Sequence, residues 1–218
     1  MGVSVSVTLR VKTGLSRLHI DSSILFATHC SRIEEEEGHL EWPQPGWDKT
    51  RSYALASIIL AVAALESSVN ELYQQAIDGN TNALASLTKE QMGLLEQLWP
   101  EVEKLSILKK YQLALTVKNG SGMDTGIEPY QSTRALIALR NGLLHFKPEW
   151  DDSLDEHMKL EALLKSYFKP SRLVERLKGS MVWFPHKCLG AGSAIWAGDT
   201  VKRFSRNFCN LMGIRARL

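Results

Sequence analysis

Residues 49–77 read KTRSYALASIILAVAALESSVNELYQQAI, and this stretch decides the fold class. It contains no proline or glycine and is rich in alanine and leucine, which favour helix. Apolar residues recur along its whole length, which indicates burial on more than one side. The segment Asp78-Gly79-Asn80 that follows consists of residue types that end helices. We therefore predict one long helix at the centre of the molecule.

Helical patterns continue on the C-terminal side of this stretch. Thr88-Lys89-Glu90-Gln91 has the form of a capping box that begins a helix through Leu98. Pro100 is expected to open the next helix, which runs to about Val117. Further helices are predicted at 129–147, 154–167, 171–177 and 186–210. Residues 48–218 are thus predicted to form an all-α, up-and-down helical bundle.

Residues 1–47 are predicted to extend this bundle at its N-terminus. Val3 to Val11 alternate with polar residues, which is typical of a short strand or arm. Asp21 to Glu37 has a helical pattern and ends in four glutamates. Four consecutive acids point in four directions on a helix, so we interpret Glu34–Glu37 as a solvated helix end rather than a metal site.

Composition limits the classes of function. The formal net charge of +2 provides no global field for nucleic acid, so any polyanion site must be local. The three cysteines are far apart without a CxxC pair, which disfavours a zinc site and fits reduced thiols in the cytosol. Residues 1–13 lack the apolar block of a secretory signal, and the apolar run 55–65 is too short to span a bilayer. We expect a cytoplasmic protein without a membrane partner, metal or cofactor.

The run Arg140-Asn141-Gly142-Leu143-Leu144-His145 points most directly to chemistry. Five helical steps separate Arg140 from His145 by about 140° and about 7.5 Å, yet the long arginine can lean toward a phosphate near His145. Asn141 and His145 share a face. An imidazole can remove a 2′-OH proton, and a guanidinium can stabilise charge growing on phosphorus. The helix C-terminus favours protonated His145, which suits an acid better than a base unless a second histidine helps.

This run resembles the Arg-(polar residue)-x(3–5)-His motif of HEPN domains, in its Arg-Asn-x3-His form. The resemblance covers about residues 50–177 and implies a bundle of four to five helices with the motif near the end of a late helix. It also implies a homodimer whose two motifs meet in a shared cleft and cleave RNA without a metal. Arg140, Asn141 and His145 would then be catalytic residues of an endoribonuclease. Such hydrolases are often toxins or defence proteins, with an antitoxin or a nucleotidyltransferase as partner.

The resemblance assigns three further residues to substrate binding. Glu66 and Asn70 share one face of the long helix, which is similar to the first long helix of many such domains, where a polar residue faces the motif. Lys147 lies two residues after His145, where members paired with a nucleotidyltransferase carry a tyrosine whose modification silences the toxin. Lysine at this place disfavours that regulation, and it can contact RNA phosphates.

Two alternatives stay open at this point. In the first, the motif is structural: Arg140 pairs with Glu66 or another carboxylate, and His145 caps the last carbonyls of its helix. In the second, the chain is a non-catalytic HEPN-like module that binds a nucleotide or another protein. The basic C-terminal residues are interpreted as favourable charge at a helix C-terminus rather than as an RNA-binding tail. They are Lys202, Arg203, Arg206, Arg215 and Arg217.

Overall fold

The computed structural model describes residues 12–150, 155–174, 181–216 and 218, and these residues form seven α-helices without a strand. The helices are α1 (Ser16–Glu37), α2 (Trp47–Ile77), α3 (Lys89–Val102), α4 (Ile107–Asn119), α5 (Tyr130–Leu144), α6 (Asp155–Leu164) and α7 (Ala191–Met212). A turn at Trp183–Lys187, in which Phe184 has extended backbone, precedes α7. The prediction of an all-α helical bundle is confirmed. The predicted N-terminal strand, residues 3–11, lies outside the described residues.

α2 lies at the centre of the bundle because its small side chains let two other helices approach it closely. Ala54 and Ala61 are fully buried, and α1 and α7 pack along α2 and against each other. Ser57 joins the three helices: its Oγ donates to the Ser23 carbonyl on α1 at 2.9 Å and lies 3.2 Å from the Ala194 carbonyl on α7. Ser23 Oγ in turn donates a hydrogen bond to the Ser57 carbonyl at 2.9 Å. Hydrogen bonding of these buried hydroxyls permits the close crossing.

The length and apolar composition of α2 also suffice to cross a membrane, with a mean hydropathy of 1.7 over its most apolar window. A core helix of a globular bundle has the same properties, and α2 packs against α1, α3, α4, α5 and α7. Its apolar character is explained by this central position. The expected cytoplasmic location stays a prediction.

α1 shares the hydrophobic core with α2 through Ile20, Ala27 and Cys30. The predicted division of the chain between residues 47 and 48 stays a prediction.

A buried carboxylate joins the end of α1 to the start of α7. Glu34 is only 4% exposed and accepts hydrogen bonds from Ser171 Oγ at 2.6 Å, from the Ala191 N–H at 3.0 Å and from the Arg172 N–H at 3.3 Å. Ala191 is the first residue of α7, and a helix N-terminus favours negative charge. The interpretation of Glu34–Glu37 as a solvated helix end is therefore wrong for Glu34, which lies on the inner face of α1.

Helix bounds depart from the predictions around Pro100. The predicted capping box is confirmed, since Gln91 N–H donates to Thr88 Oγ1 at 3.2 Å and Thr88 N–H donates to Gln91 Oε1 at 3.0 Å. Pro100, however, lies inside the last turn of α3, and α4 begins only at Ile107. Proline lacks an N–H and destabilises a helix interior. Here α3 ends two residues after it, at Val102.

The later helices are shorter than predicted. α6 ends at Leu164 and α7 begins at Ala191, while 172–174 form a turn where a helix was predicted over 171–177. Residues 175–177 of that predicted helix lie outside the described residues. The last turn of α7 holds no basic residue. Lys202, Arg203 and Arg206 precede that turn, so interpreting them as charge at a helix C-terminus is wrong.

Candidate functional site

α5 carries the motif and ends at the surface of the bundle. Ala135, Leu136 and Leu139 are buried, and α5 packs against α2, α6 and α7. Gly142 allows α6 to lie close to the end of α5, because a Cβ atom at this glycine would be 2.7 Å from Cδ1 of Leu160. The first part of α5 is thus anchored in the core, and its last turn is positioned by α6.

Arg140, Asn141 and His145 all lie at the C-terminal end of α5. The helix ends at Leu144, and His145 is the first residue beyond it, with its N–H donating to the Asn141 carbonyl at 2.9 Å. Asn141 and His145 are exposed, whereas Arg140 is half-buried. An exposed imidazole at this place can meet a ligand, with a cation on the same last turns of the helix.

The Arg140 side chain has no carboxylate partner within the described residues. Its Nε is buried and has no hydrogen-bond acceptor in the part of the chain that the structure describes. Such a donor costs on the order of 1–3 kcal/mol, which an acceptor oxygen would recover. Glu66, the carboxylate proposed for a purely structural pair, is exposed on α2. The structural alternative of an Arg140–Glu66 salt bridge is not observed.

Asn70 provides a hydrogen-bond acceptor for the ammonium group of a buried lysine. Its Oδ1 accepts a hydrogen bond from Lys110 Nζ at 3.0 Å. Lys110 is 2% exposed, and its ammonium lies 5.8 Å from the centroid of the Trp99 ring. A buried ammonium requires such partners. No hydrogen bond or ion pair within the described parts of the chain joins Glu66 or Asn70 to the motif, so their assignment to the substrate stays a prediction.

His157 on α6 holds the segment that follows His145, and the sequence analysis did not identify it. Its Nε2 donates to the Lys147 carbonyl at 3.1 Å, and its ring stacks on Phe146 with centroids 5.3 Å apart. The Glu149 carboxylate accepts from the His157 N–H at 3.3 Å and lies 3.6 Å from Nδ1. His157 is 8% exposed, so its role is to position the chain. The available signal was a second histidine shortly after the motif.

Lys147 is exposed close to the start of α6. The pKa of the Glu156 carboxyl is lowered, mainly by its hydrogen bond to Lys159 and to a smaller extent by the charge of Lys147. The Lys147 ammonium is therefore near the first turn of α6. It adds a positive charge two residues after His145.

Neither Cys30 nor Cys188 is an activated nucleophile. Burial raises the pKa of the Cys30 and Cys188 thiols, so both stay protonated at neutral pH. No disulfide joins the three cysteines. Across 12–150, 155–174, 181–216 and 218, no three histidine, cysteine, aspartate or glutamate side chains are grouped as metal ligands.

The chain matches no protein-family model, no curated protein and no solved structure. A functional assignment must therefore be argued from the chemistry of its own residues.

Proposed function

We propose that this chain is a HEPN-like endoribonuclease that acts as a homodimer and cleaves RNA without a metal ion. The observation that carries the proposal is that an exposed His145 imidazole and a half-buried Arg140 guanidinium lie at the same helix end. Within the described residues that guanidinium has no carboxylate partner. These are the two groups that phosphodiester transfer needs.

Cleavage begins with attack of a ribose 2′ oxygen on the adjacent phosphorus. The new bond joins the 2′ oxygen to phosphorus, and the bond from phosphorus to the 5′ oxygen breaks. One imidazole accepts the 2′-OH proton, and another donates a proton to the departing 5′ oxygen. The products are a 2′,3′-cyclic phosphate and a 5′-hydroxyl.

Each residue of the motif has a role in this reaction. His145 transfers protons, and Arg140 stabilises the charge on the phosphoryl oxygens with its planar fork. Asn141 orients the substrate or the partner subunit, and Lys147 contacts a neighbouring phosphate. One copy of His145 would act as the acid. A second copy of His145 would supply the base.

The surface around the motif supports the homodimer. Leu144, Phe146 and Trp150 are 49%, 41% and 81% exposed, and all three lie within a few residues of His145. Exposed apolar side chains this close in the chain are suited to a contact surface. A two-fold contact through this surface would bring both copies of the motif into one cleft.

The direct test is cleavage of total RNA by the purified protein in EDTA, beside His145→Ala. Wild-type protein should leave 2′,3′-cyclic phosphate ends, and the variant should be slower by about 100-fold or more. His39→Ala, which removes an exposed histidine from the loop after α1, is the matched control and should cleave normally. Absence of EDTA-resistant cleavage, or equal cleavage by His145→Ala, rejects the catalytic assignment.

One observation favours the non-catalytic alternative, a HEPN-like module that binds a nucleotide or another protein. Arg140 is half-buried and its Nε is shielded from solvent, which leaves only part of the guanidinium accessible. Such a module would retain the dimer and bind a ligand at the motif without cleaving RNA. The EDTA assay separates the two functions.

A biological role as a toxin or defence protein follows from the same proposal. Expression in a bacterial host should then arrest growth, and Arg140→Ala should restore it. An antitoxin or a nucleotidyltransferase would be the neutralising partner. Lys147 lacks the phenolic oxygen of the tyrosine modified in some family members, so neutralisation is proposed to act through binding.

A further inference from the structure

A groove of about 1040 Å³ lies on a different part of the molecule from the motif. Three segments line it: the end of α1, residues 167–172 and the first two thirds of α7. None of its lining residues belongs to α5 or to the segment that follows it. Lys202, Arg203 and Arg206, which the sequence led us to interpret as charge at a helix end, line this groove.

Five cations line this groove, and they come from two of the segments. Lys169 and Arg172 lie on one side, and Lys202, Arg203 and Arg206 lie along α7. The α7 residues recur at helical spacing, so they share one face of the helix. Positive charge is therefore concentrated at this groove, although the chain as a whole carries a formal charge of only +2.

The acidic lining residues do not cancel this charge. Glu34 is buried and is engaged by the three donors that join α1 to α7. That leaves Glu35 and Asp199 as the exposed carboxylates of the lining. Five cations thus face two solvent-accessible acids.

Aromatic rings line the same groove. Tyr167 is half-buried, and its ring lies 5.3 Å from that of Trp196, which in turn lies 5.1 Å from Phe168. Tyr167 therefore presents a supported aromatic ring at the groove. Cations along a concave surface together with an aromatic ring are the features that bind single-stranded nucleic acid, through phosphates and base stacking respectively.

The groove is a second site with its own residues, because its lining includes none of Arg140, Asn141, His145 and Lys147.

We propose that this groove binds the phosphate backbone of single-stranded nucleic acid, with Tyr167 stacking against a base. The proposal is independent of cleavage at the motif. An acidic peptide would use the cations but not the ring, and a duplex would not place a base on Tyr167. Five cations spread over two segments can contact several successive phosphates, which favours an oligonucleotide.

The test is fluorescence anisotropy with a labelled 12-nucleotide oligouridine, using His145→Ala protein throughout so that the probe stays intact. Arg203→Gln/Arg206→Gln should raise the Kd about tenfold or more at low salt and lower the slope of log Kd against log salt by about 1.4. Tyr167→Leu should raise the Kd about fivefold and leave that slope unchanged. Circular dichroism establishes that each variant is folded.

Lys89→Gln/Lys109→Gln is the matched control, because it removes two exposed cations that do not line the groove. It should change the Kd less than twofold. An unchanged Kd in the arginine variant, or equal weakening in the control, overturns the proposal. So does displacement of the probe by ATP or by a duplex of the same length at equal phosphate concentration. A failure here leaves the cleavage result in EDTA untouched, and the reverse also holds.

Discussion

The packed side formed by α1, α2 and α7 differs from the end where α5 meets α6. On the packed side, Ser23, Ser57 and Glu34 are buried and hydrogen-bonded across helix boundaries. At the α5–α6 end, by contrast, Trp150 is 81% exposed, and the buried Nε of Arg140 has no acceptor among the residues that the structure describes. The buried polar groups of the packed side are thus already engaged within the protein, whereas the α5–α6 end keeps groups free for contacts with other molecules. Substitutions of the buried polar residues should change unfolding, and substitutions at the motif should change the proposed cleavage.

The largest expected effect on unfolding is that of Glu34→Ala. It leaves Ser171 Oγ and two backbone N–H groups without their acceptor, so the free energy of unfolding should fall by about 3 kcal/mol in a urea titration. Glu35→Ala removes an exposed neighbour and should cost less than about 0.5 kcal/mol. Equal losses in the two variants would mean that the carboxylate does not join α1 to α7.

Raising the pH should also weaken the packed side. Burial raises the pKa of the Cys30 and Cys188 thiols, so they stay protonated in the folded chain while the unfolded chain ionises them above about pH 8.5. Stability is therefore full below that pH and falls above it, by about 1.4 kcal/mol per thiol per pH unit. Urea titrations at several alkaline pH values measure the slope. Cys30→Ala/Cys188→Ala should have a shallower slope, and an unchanged one would contradict this account.

At the motif end, His157→Phe tests whether His157 positions the segment after His145 without taking part in the reaction. The ring stack on Phe146 is kept, but the Lys147 carbonyl loses its donor, which should cost about 1 kcal/mol of unfolding free energy. RNA cleavage should fall about tenfold because the segment after His145 is less well placed. In His145→Ala, by contrast, the free energy of unfolding should be nearly unchanged, and RNA cleavage should be lost. Full activity in His157→Phe would contradict the positioning role.

The smallest expected effect concerns two glycines inside helices. A Cβ at Gly93 on α3 meets no atom within 4 Å, so Gly93→Ala should stabilise the protein by about 0.5–1 kcal/mol. At Gly142 the same atom would lie 2.7 Å from Leu160 and 3.4 Å from Phe184. Displacing Leu160 should cancel the gain in Gly142→Ala or reverse it by about 1 kcal/mol. Equal stabilisation would show that α6 does not approach α5 closely.

Local patterns explain which parts of the fold were predictable. α2 and the Thr88 capping box depend on composition and spacing within one segment, so the sequence was sufficient for both. The position of Pro100 and the burial of Glu34 depend on packing between distant segments. A run of four glutamates carries no signal that one of them meets the start of α7. Contacts between distant segments determine where Pro100 lies in its helix and whether Glu34 is buried.

The candidate site divides in the same way. Arg140, Asn141 and His145 are contiguous on one helix end, and a short run of sequence was enough to place them together. His157 reaches this end only because α6 folds back onto α5, and the groove joins three separated segments. The sequence contains the second histidine and the basic residues of α7, but their spacing does not indicate what they contact. A site whose residues come from separate segments can be recognised only once the packing of those segments is known.

The most direct test of the central claim mixes wild-type protein with an equal amount of His145→Ala so that their subunits exchange. If the His145 imidazoles of both protomers act on one phosphodiester, each mixed dimer lacks either the acid or the base and is inactive. Random exchange leaves a quarter of the dimers with two wild-type subunits, so cleavage in EDTA should fall to roughly half of that of the same amount of wild-type protein alone. Cleavage equal to that of the wild-type protein alone, although mass spectrometry detects mixed dimers of folded subunits, would contradict the claim.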